Sequence, residues 1–166
     1  MSLVPFESLP DHARLWCFGM PRAPGADVRA RLLDSMRDFV SGWTAHSRDL
    51  RAGVALLHDR FLLVAADEST AGASGCSIDA LTGRLQSLGA QLDLELLDST
   101  PVWFRDGSQR IRSVSRPEFT AMARRGEATA TTPVFDLTLT RLGDVRAGRF
   151  ETAASDTWHR NLLAPD

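Results

Sequence analysis

The sequence contains no lysine and no tyrosine, and it has only two cysteines. The missing lysine excludes a P-loop lysine and a Schiff-base lysine, and the missing tyrosine excludes a tyrosine nucleophile. Two cysteines are too few for a disulfide framework or a four-cysteine zinc site. Compact ligand spacings such as H-x-x-x-H, C-x-x-C and H-E-x-x-H do not occur. We therefore expect neither a bound metal nor a cofactor.

The sequence is equally poor in long apolar runs, of which the longest is Phe61–Ala66. A bilayer-spanning helix needs roughly 20 apolar residues, so we expect no membrane partner. Residues Met1–Pro10 lack the basic region and apolar stretch of a secretory signal. Together with the low cysteine content, this favours a reducing cytoplasm as the location. The net charge of −2 argues against general nucleic-acid binding.

Positive charge is concentrated between Pro101 and Gly126, where six arginines accompany only two acids, Asp106 and Glu118. Guanidinium groups bind phosphates and carboxylates in a bidentate manner, so this segment can hold an anionic ligand. It can equally pair with the acidic remainder of the chain or keep the surface hydrated. No aromatic platform is interleaved with the arginines, which again argues against nucleic acid as a partner. The six residues are Arg105, Arg110, Arg112, Arg116, Arg124 and Arg125.

The N-terminal half of the chain shows three strong local patterns. A short apolar run predicts a buried strand over Leu15–Met20. Apolar residues at three- and four-residue spacing predict an amphipathic helix over Ala26–Ala45. Two β-like runs, Arg51–Leu57 and Arg60–Ala66, are separated only by His58-Asp59, which predicts a hairpin.

A second helix and a further strand complete the core pattern. Ser77 is a suitable N-cap for a helix over Ile78–Leu88, and Gly89 is a suitable stop signal. Apolar and polar residues then alternate over Gln91–Leu97, which predicts a half-buried strand. The resulting order, β-α-β-β-α-β, predicts an α+β fold with a ferredoxin-like core.

The 166 residues suit a single domain, with a core over about 14–98 and a C-terminal extension over about 99–166. In the extension, four apolar residues recur every four positions and predict a closing helix in which Trp158 is buried and His159 faces the surface. Three other elements are expected before that helix: a hairpin (Val102–Phe104 with Gln109–Ser115) around Asp106-Gly107, a short helix beginning at Pro117, and a strand over Thr132–Thr140. The four apolar residues are Phe150, Ala154, Trp158 and Leu162.

The predicted topology brings three segments to one end of the sheet: Ser41–His46, Asp67-Glu68 and Ser74–Asp79. Cys76 lies there just before a helix, where unpaired N–H groups and the helix dipole favour an anion. The helix dipole stabilises a thiolate by only about 0.3–1 kcal/mol, so a reactive thiolate at Cys76 needs a second stabilising group. His46 is the histidine that the topology places nearby, and an acidic neighbour can orient its ring.

This corner supports three hypotheses. In the first, the loop before the second helix, from Ser69 to Ser77, binds a small anionic ligand or a protein partner. In the second, the protein is a thiol-dependent acyl or thioester transferase or hydrolase with Cys76 as nucleophile, His46 as base and Asp67 as orienting acid. In the third, the domain is a homo-oligomeric structural module that pairs through an open β-edge or an apolar face. The expected ligand-binding residues are Ser74, Gly75, Ser77, Trp43, Glu68 and Asp79.

Each of these residues also has a purely structural interpretation. A cysteine in a small-residue loop is commonly a packing residue, and His46 can satisfy the last carbonyl groups of its helix. Asp67 and Glu68 can simply end a strand in solvent, and Asp79 can complement the helix dipole. A metal site built from His46, Asp67, Glu68 and Cys76 has no support from ligand spacing.

Several blocks of the sequence resemble a small family of bacterial proteins of about this length. The most specific is Ser74-Gly75-Cys76-Ser77-Ile78-Asp79, and the others are Ser41-Gly42-Trp43-Thr44-Ala45-His46, Val64–Glu68 and Thr132–Asp136. The resemblance extends from about Trp16 to Trp158-His159 and implies no particular activity. Some members of the family carry the label of an ABC transporter ATPase. This sequence contradicts that label, because it has no G-x-x-x-x-G-K-[ST] loop and no lysine to bind phosphates.

Overall fold

The computed structural model describes residues 2–69 and 72–163. Within them the chain is an α+β protein in which the strands of every sheet pair antiparallel. Its four α-helices are α1 (Ala26–Ser41), α2 (Gly75–Leu92), α3 (Arg116–Arg124) and α4 (Leu142–Arg146). Its strands are β1 (Arg14–Gly19), β2 (Thr44–Ala45), β3 (Arg48–Asp49), β4 (Arg51–Leu57), β5 (Phe61–Asp67), β6 (Val102–Arg105), β7 (Ile111–Val114), β8 (Pro133–Phe135) and β9 (Glu151–Ala153). Short 3-10 helices cover Phe6–Ser8, Ala154–Asp156 and Trp158–Leu162.

The described chain divides into two compact units. The first comprises the described part of residues 1–98 together with residues 138–146. The second comprises residues 99–137 and the described part of residues 147–166. Residues 138–146, which the sequence pattern assigns to the C-terminal extension, therefore belong to the first unit. The single-domain organisation stays a prediction.

The sheet of the first unit has the strand order β1-β5-β4. The predicted hairpin is confirmed, since β4 and β5 pair from Arg51 opposite Asp67 to Leu57 opposite Phe61. The two turn residues, His58 and Asp59, both have positive φ angles of 52° and 56°. Two successive left-handed residues are typical of a type I′ turn, whose twist matches that of the flanking strands. The sequence thus closes this hairpin without the usual Asn-Gly pair.

Helices α1 and α2 cover one face of this sheet. Alternate residues of β5, Leu62, Val64 and Ala66, are fully buried against them. The apolar stripes of the two helices form the other side of the same core. Each fully buried leucine contributes about 2 kcal/mol to the free energy of folding. The helix residues in this core are Leu32, Met36 and Val40 of α1 and Leu81, Leu85, Leu88 and Leu92 of α2.

Other segments of the first unit pair with part of each edge of the three-stranded sheet. Along β4, the amide of Val4 donates to the carbonyl of Ala52 (2.9 Å) and the amide of Ala52 donates to the carbonyl of Ser2 (2.8 Å). Along β1, the amide of Leu15 donates to the carbonyl of Thr140 at 2.9 Å. The edges of β4 and β1 are therefore covered at Ala52 and at Leu15, and the homo-oligomer hypothesis stays a prediction.

The predicted strand over Gln91–Leu97 is not formed, and the complete ferredoxin-like arrangement is not confirmed. Helix α2 continues to Leu92, and Asp93 then adopts a left-handed conformation with a φ of 53°. The amide of Leu94 donates back to the carbonyl of Gly89 at 2.9 Å, which ends the helix. Residues 140–142 pair with the chain at Ala13 and Leu15, at the outer edge of β1, and Leu92 and Leu96 are buried in the core without joining the sheet.

In the second unit, four antiparallel strands have the order β7-β6-β8-β9. The predicted hairpin around Asp106-Gly107 is present as β6 and β7. The predicted short helix is present as α3, with Pro117 in its first turn and Ser115 as its N-cap. The predicted strand over Thr132–Thr140 is reduced to the three residues of β8.

The predicted closing helix is wrong. Phe150 lies just before β9, and the other three residues lie in two 3-10 helices, because Glu151–Ala153 pairs with β8 and interrupts the helical spacing. These three are Ala154, Trp158 and Leu162. The exposures of Trp158 and His159 are also the reverse of the expectation. His159 is 1% exposed, whereas Trp158 is only part-buried.

None of the described helices is both long enough and apolar enough to cross a membrane.

Candidate functional site

Helix α2 begins three residues earlier than the sequence predicts, which changes the environment of Cys76. Ser74, and not Ser77, is the N-cap, because its hydroxyl accepts a hydrogen bond from the amide of Ser77 at 3.2 Å. Its carbonyl accepts from the amide of Ile78 at 3.0 Å. Gly75 and Cys76 are thus the first two helical residues, and their N–H groups point out of the helix end.

The first turn of α2 carries no acidic residue. The first turns of α1, α3 and α4 carry Asp27, Glu118 and Asp144, respectively. A carboxylate in the first turn partly neutralises the positive end of the helix dipole. The positive end of α2 is therefore not neutralised by its own first turn.

Trp43 connects the chain after α1 to the start of α2. Its indole Nε1 donates to the carbonyl of Ser77 at 2.9 Å, and the residue is 3% exposed. Its ring packs edge-on against Trp16 and at a tilt against Phe39, both with 5.6 Å between ring centroids. Ser77 is also buried, and its hydroxyl donates to the carbonyl of Ser74 at 2.8 Å. The polar groups of Trp43 and Ser77 are thus used to position the site.

His46 is held at the tip of the small β2–β3 hairpin. His46 and Ser47 form its two-residue turn and both have positive φ angles, 50° and 63°. The tight turn presents the imidazole at the surface, where the residue is exposed. His46 therefore does not satisfy the last carbonyl groups of α1, because it lies in a hairpin turn and not at the end of that helix.

An open pocket of about 420 Å³ joins these elements. His46 and Thr44 line it from the β2–β3 hairpin, and Ser74 and Cys76 line it from the start of α2. Cys76 is exposed. No hydrogen bond joins Cys76 to His46 within the described residues. The remaining lining residues are Phe39, Gly42, Trp43, Ser77 and Ala80.

Asp67, the expected orienting acid, lies outside this pocket. Its carboxylate is buried at the end of β5, where it accepts a hydrogen bond from the amide of Ser69 at 3.0 Å. Arg51 Nη1 and His12 Nε2 each approach the carboxylate at 3.4 Å. The hydrogen bond from the Ser69 side chain lowers the pKa of Asp67, although burial opposes this effect. Asp67 thus pairs with His12, a contact between residues 55 positions apart that no local pattern indicates.

The other expected ligand-binding residues lie around the pocket rather than in its wall. Glu68 accepts a hydrogen bond from the amide of Ala73 at 2.7 Å and lies 3.5 Å from Arg14 Nη1, so it holds the approach to α2. Gly75 is exposed at the helix end, and Asp79 is exposed on α2 beyond the first turn. The expected binding loop from Ser69 to Ser77 includes residues 70 and 71, which lie outside the described residues. Among the described residues, no cluster of three histidine, cysteine, aspartate or glutamate residues could hold a metal ion.

Comparison of the chain with protein-family models, with curated proteins and with solved structures finds no match in any of the three. The function proposed below therefore depends on the geometry of the pocket.

Proposed function

We propose that the pocket at the N-terminus of α2 binds a small anionic ligand. The observation that carries this proposal is that the first turn of α2, with no acid of its own, opens into a pocket lined by His46. The amides of Gly75 and Cys76 supply hydrogen-bond donors for an anion, and the dipole of the 18-residue helix supports the same charge. The hydroxyl of Thr44 and the imidazole of His46 are further polar groups on the opposite wall.

The size and shape of the pocket favour a small molecule over a protein partner. Its volume of about 420 Å³ lies at the lower end of the range for small-ligand sites. The indole of Trp43 and the ring of Phe39 give the pocket an apolar floor. We infer that the ligand combines a carboxylate or phosphate group with a small apolar part.

Titration with inorganic phosphate and with acetate tests the proposal. We expect saturable amide NMR shifts at Gly75, Cys76 and Ser77 at millimolar ligand, because these groups form the anion-facing turn. The first-turn amides of α1 are the internal control, since Asp27 already occupies that position. Equal responses at both helices, or no response at α2 beyond that of chloride at matched ionic strength, would overturn the proposal.

The two hairpin histidines provide a matched pair of variants for this titration. His46 and His58 are both exposed and both adopt left-handed conformations, which asparagine tolerates. We expect His46→Asn to weaken phosphate binding by about threefold to tenfold, as loss of one hydrogen bond would. His58→Asn, in a turn that does not line the pocket, should leave binding unchanged.

A second candidate function is thiol-dependent acyl transfer or hydrolysis, which is favoured by the exposure of Cys76 in a pocket shared with His46. In this reaction the Cys76 sulfur would attack an acyl carbonyl while His46 accepts the thiol proton. The proton would pass to the leaving group, and water would then hydrolyse the thioester. The anion-binding turn would stabilise the oxyanion that forms at each step.

Alkylation of Cys76 by iodoacetamide tests this second candidate. If His46 serves as the base, His46→Asn should slow alkylation near neutral pH by about tenfold, whereas His58→Asn should not. Equal alkylation rates in the two variants would remove His46 from the reaction and leave anion binding as the proposed function.

A further inference from the structure

A second pocket lies at the opposite end of the two helices. It has a volume of about 650 Å³ and is bounded by the loop that precedes α1 and by the residues that follow α2. The 16 residues of α1 separate it from the pocket lined by Cys76 by about 24 Å along the helix axis. The two pockets are therefore independent of each other.

The floor of this second pocket is apolar and belongs to the main core of the first unit. Met20 and Leu92 are 1% and 9% exposed, and Val28 packs against the same core. All three line the pocket. A branched aliphatic group would find complementary contacts there, worth about 0.8 kcal/mol for each buried CH₂.

The walls of the pocket carry opposite charges. Arg22 lies on the wall formed by the loop before α1, and Asp93 and Glu95 lie on the wall that follows α2. Within residues 2–69 and 72–163, none of these three side chains forms an ion pair with another residue. The negative C-terminal end of α2 has the same polarity as Asp93 and Glu95, whereas Asp27 in the first turn partly neutralises the positive end of α1.

The loop that carries Arg22 is held in place by hydrogen bonds to its carbonyl groups. Arg60 donates through Nε to the carbonyl of Met20 at 3.0 Å and through Nη2 to that of Pro21. Arg29 Nη1 donates to the carbonyl of Pro24 at 2.7 Å. These contacts order the wall before any ligand arrives, which lowers the entropy lost on binding.

We propose that this pocket binds a small zwitterion with an aliphatic side group, of the α-amino-acid class. Its carboxylate pairs with Arg22, its ammonium group pairs with Asp93 or Glu95, and its side chain contacts Met20, Val28 and Leu92. The opposite charges on the two walls select a molecule that carries both charges over one that carries either alone.

Titration with L-leucine, read by amide NMR shifts, tests this proposal. The comparison ligands are 4-methylpentanoate, which lacks the ammonium group, and 3-methylbutylamine, which lacks the carboxylate. We expect saturable shifts at residues 22–28 and 92–95, with leucine binding about tenfold more tightly than either comparison ligand. Equal affinity for the three ligands, or no saturable response to millimolar leucine, would overturn the proposal.

Variants that remove one charge each test which wall contacts the carboxylate of the ligand and which contacts its ammonium group. Arg22→Gln should weaken the binding of leucine and of 4-methylpentanoate by about fivefold and leave the binding of 3-methylbutylamine unchanged. Glu95→Gln and Asp93→Asn should instead weaken the binding of leucine and of 3-methylbutylamine. Asparagine is chosen at residue 93 because it tolerates the left-handed conformation of Asp93. Arg31→Gln and Asp38→Asn remove exposed charges of α1 outside the pocket and are the controls. Equal losses in the control variants would show that the charges of the pocket wall are not specific contacts.

Discussion

Replacing Gly53 by alanine should destabilise the first unit by about 2–3 kcal/mol, because the added methyl group overpacks a site closed by backbone. A Cβ atom at residue 53 would lie 2.9 Å from the Cα of Phe6 and 2.9 Å from the carbonyl oxygen of Val4. Both atoms belong to the N-terminal segment that pairs with β4, so neither can rotate away. The free energy of unfolding in urea measures the loss.

The same variant should loosen the N-terminal segment before the rest of the unit. Displacing that segment breaks the hydrogen bond between the Ala52 amide and the Ser2 carbonyl, so exchange of the Ala52 amide proton should accelerate. Gly83→Ala in α2 is the control, because nothing lies within 4 Å of its added Cβ and alanine favours a helix by about 0.5–1 kcal/mol. Equal effects of the two substitutions would contradict the close approach at Gly53.

The second unit should lose about 3 kcal/mol of stability as the pH falls from about 6.5 to about 4, through His159 alone. The pKa of His159 is lowered to about 4, mainly by burial of the ring, while Asp136 opposes the shift and the nearby Arg116 adds to it. The ring is held neutral between Thr157, whose hydroxyl lies 2.7 Å from Nδ1, and Trp158, which stacks on it at 4.0 Å. Since the unfolded chain binds a proton below about 6.5 and the folded chain does not, acid favours unfolding.

Unfolding free energies between pH 4 and pH 7 in the parent protein and in His159→Gln test this prediction. The variant should show a shallower pH dependence than the parent in that window, and His46→Asn, which removes an exposed imidazole from the first unit, is the control for loss of a histidine. The NMR resonances of the His159 ring provide a second measurement that needs no variant, because they should not titrate above about pH 5. Titration of that ring near pH 6.5 would show that it is not held neutral.

The elements that sequence reasoning places correctly are those with a strong local signal. The hairpin of β4 and β5 is fixed by two apolar runs separated by two residues, and the start of α1 at Ala26 by apolar spacing over four turns. The predicted end of that helix at Ala45 is wrong, since the helix ends at Ser41 and Thr44–Ala45 forms β2. The start of α2 is missed by three residues because Ser74 and Ser77 are equally good N-caps in sequence. Only the hydrogen bond from the Ser77 amide to the Ser74 hydroxyl distinguishes them.

The elements that sequence reasoning misplaces depend on distant parts of the chain. The alternating leucines after α2 have the pattern of a strand, but residues 140–142 pair with part of the neighbouring edge of β1. The four-residue spacing from Phe150 to Leu162 has the pattern of a helix, but β8 recruits Glu151–Ala153 as a strand. In both cases the pattern predicts correctly that the apolar residues are buried, but pairing with a distant segment of the chain determines the secondary structure.

The candidate site was partly predictable for the same reason. The ends of α1 and α2 are local features, and the antiparallel packing of the helices brings His46 and Cys76 to one pocket. The roles of Trp43 and Asp67 were not predictable, since each depends on a partner distant in sequence. Trp43 donates to Ser77, and Asp67 pairs with His12 and Arg51.

Anion binding at the N-terminus of α2 should protect Cys76 from alkylation, and this protection can be measured directly. The rate of reaction with iodoacetamide, a neutral reagent, is measured at Cys76 in increasing phosphate, with chloride at the same ionic strength as reference. Part-buried Cys17 serves as the internal standard. If the pocket binds anions, phosphate slows alkylation of Cys76 in a saturable manner and leaves the rate at Cys17 unchanged. Identical rates at Cys76 in phosphate and in chloride would contradict it.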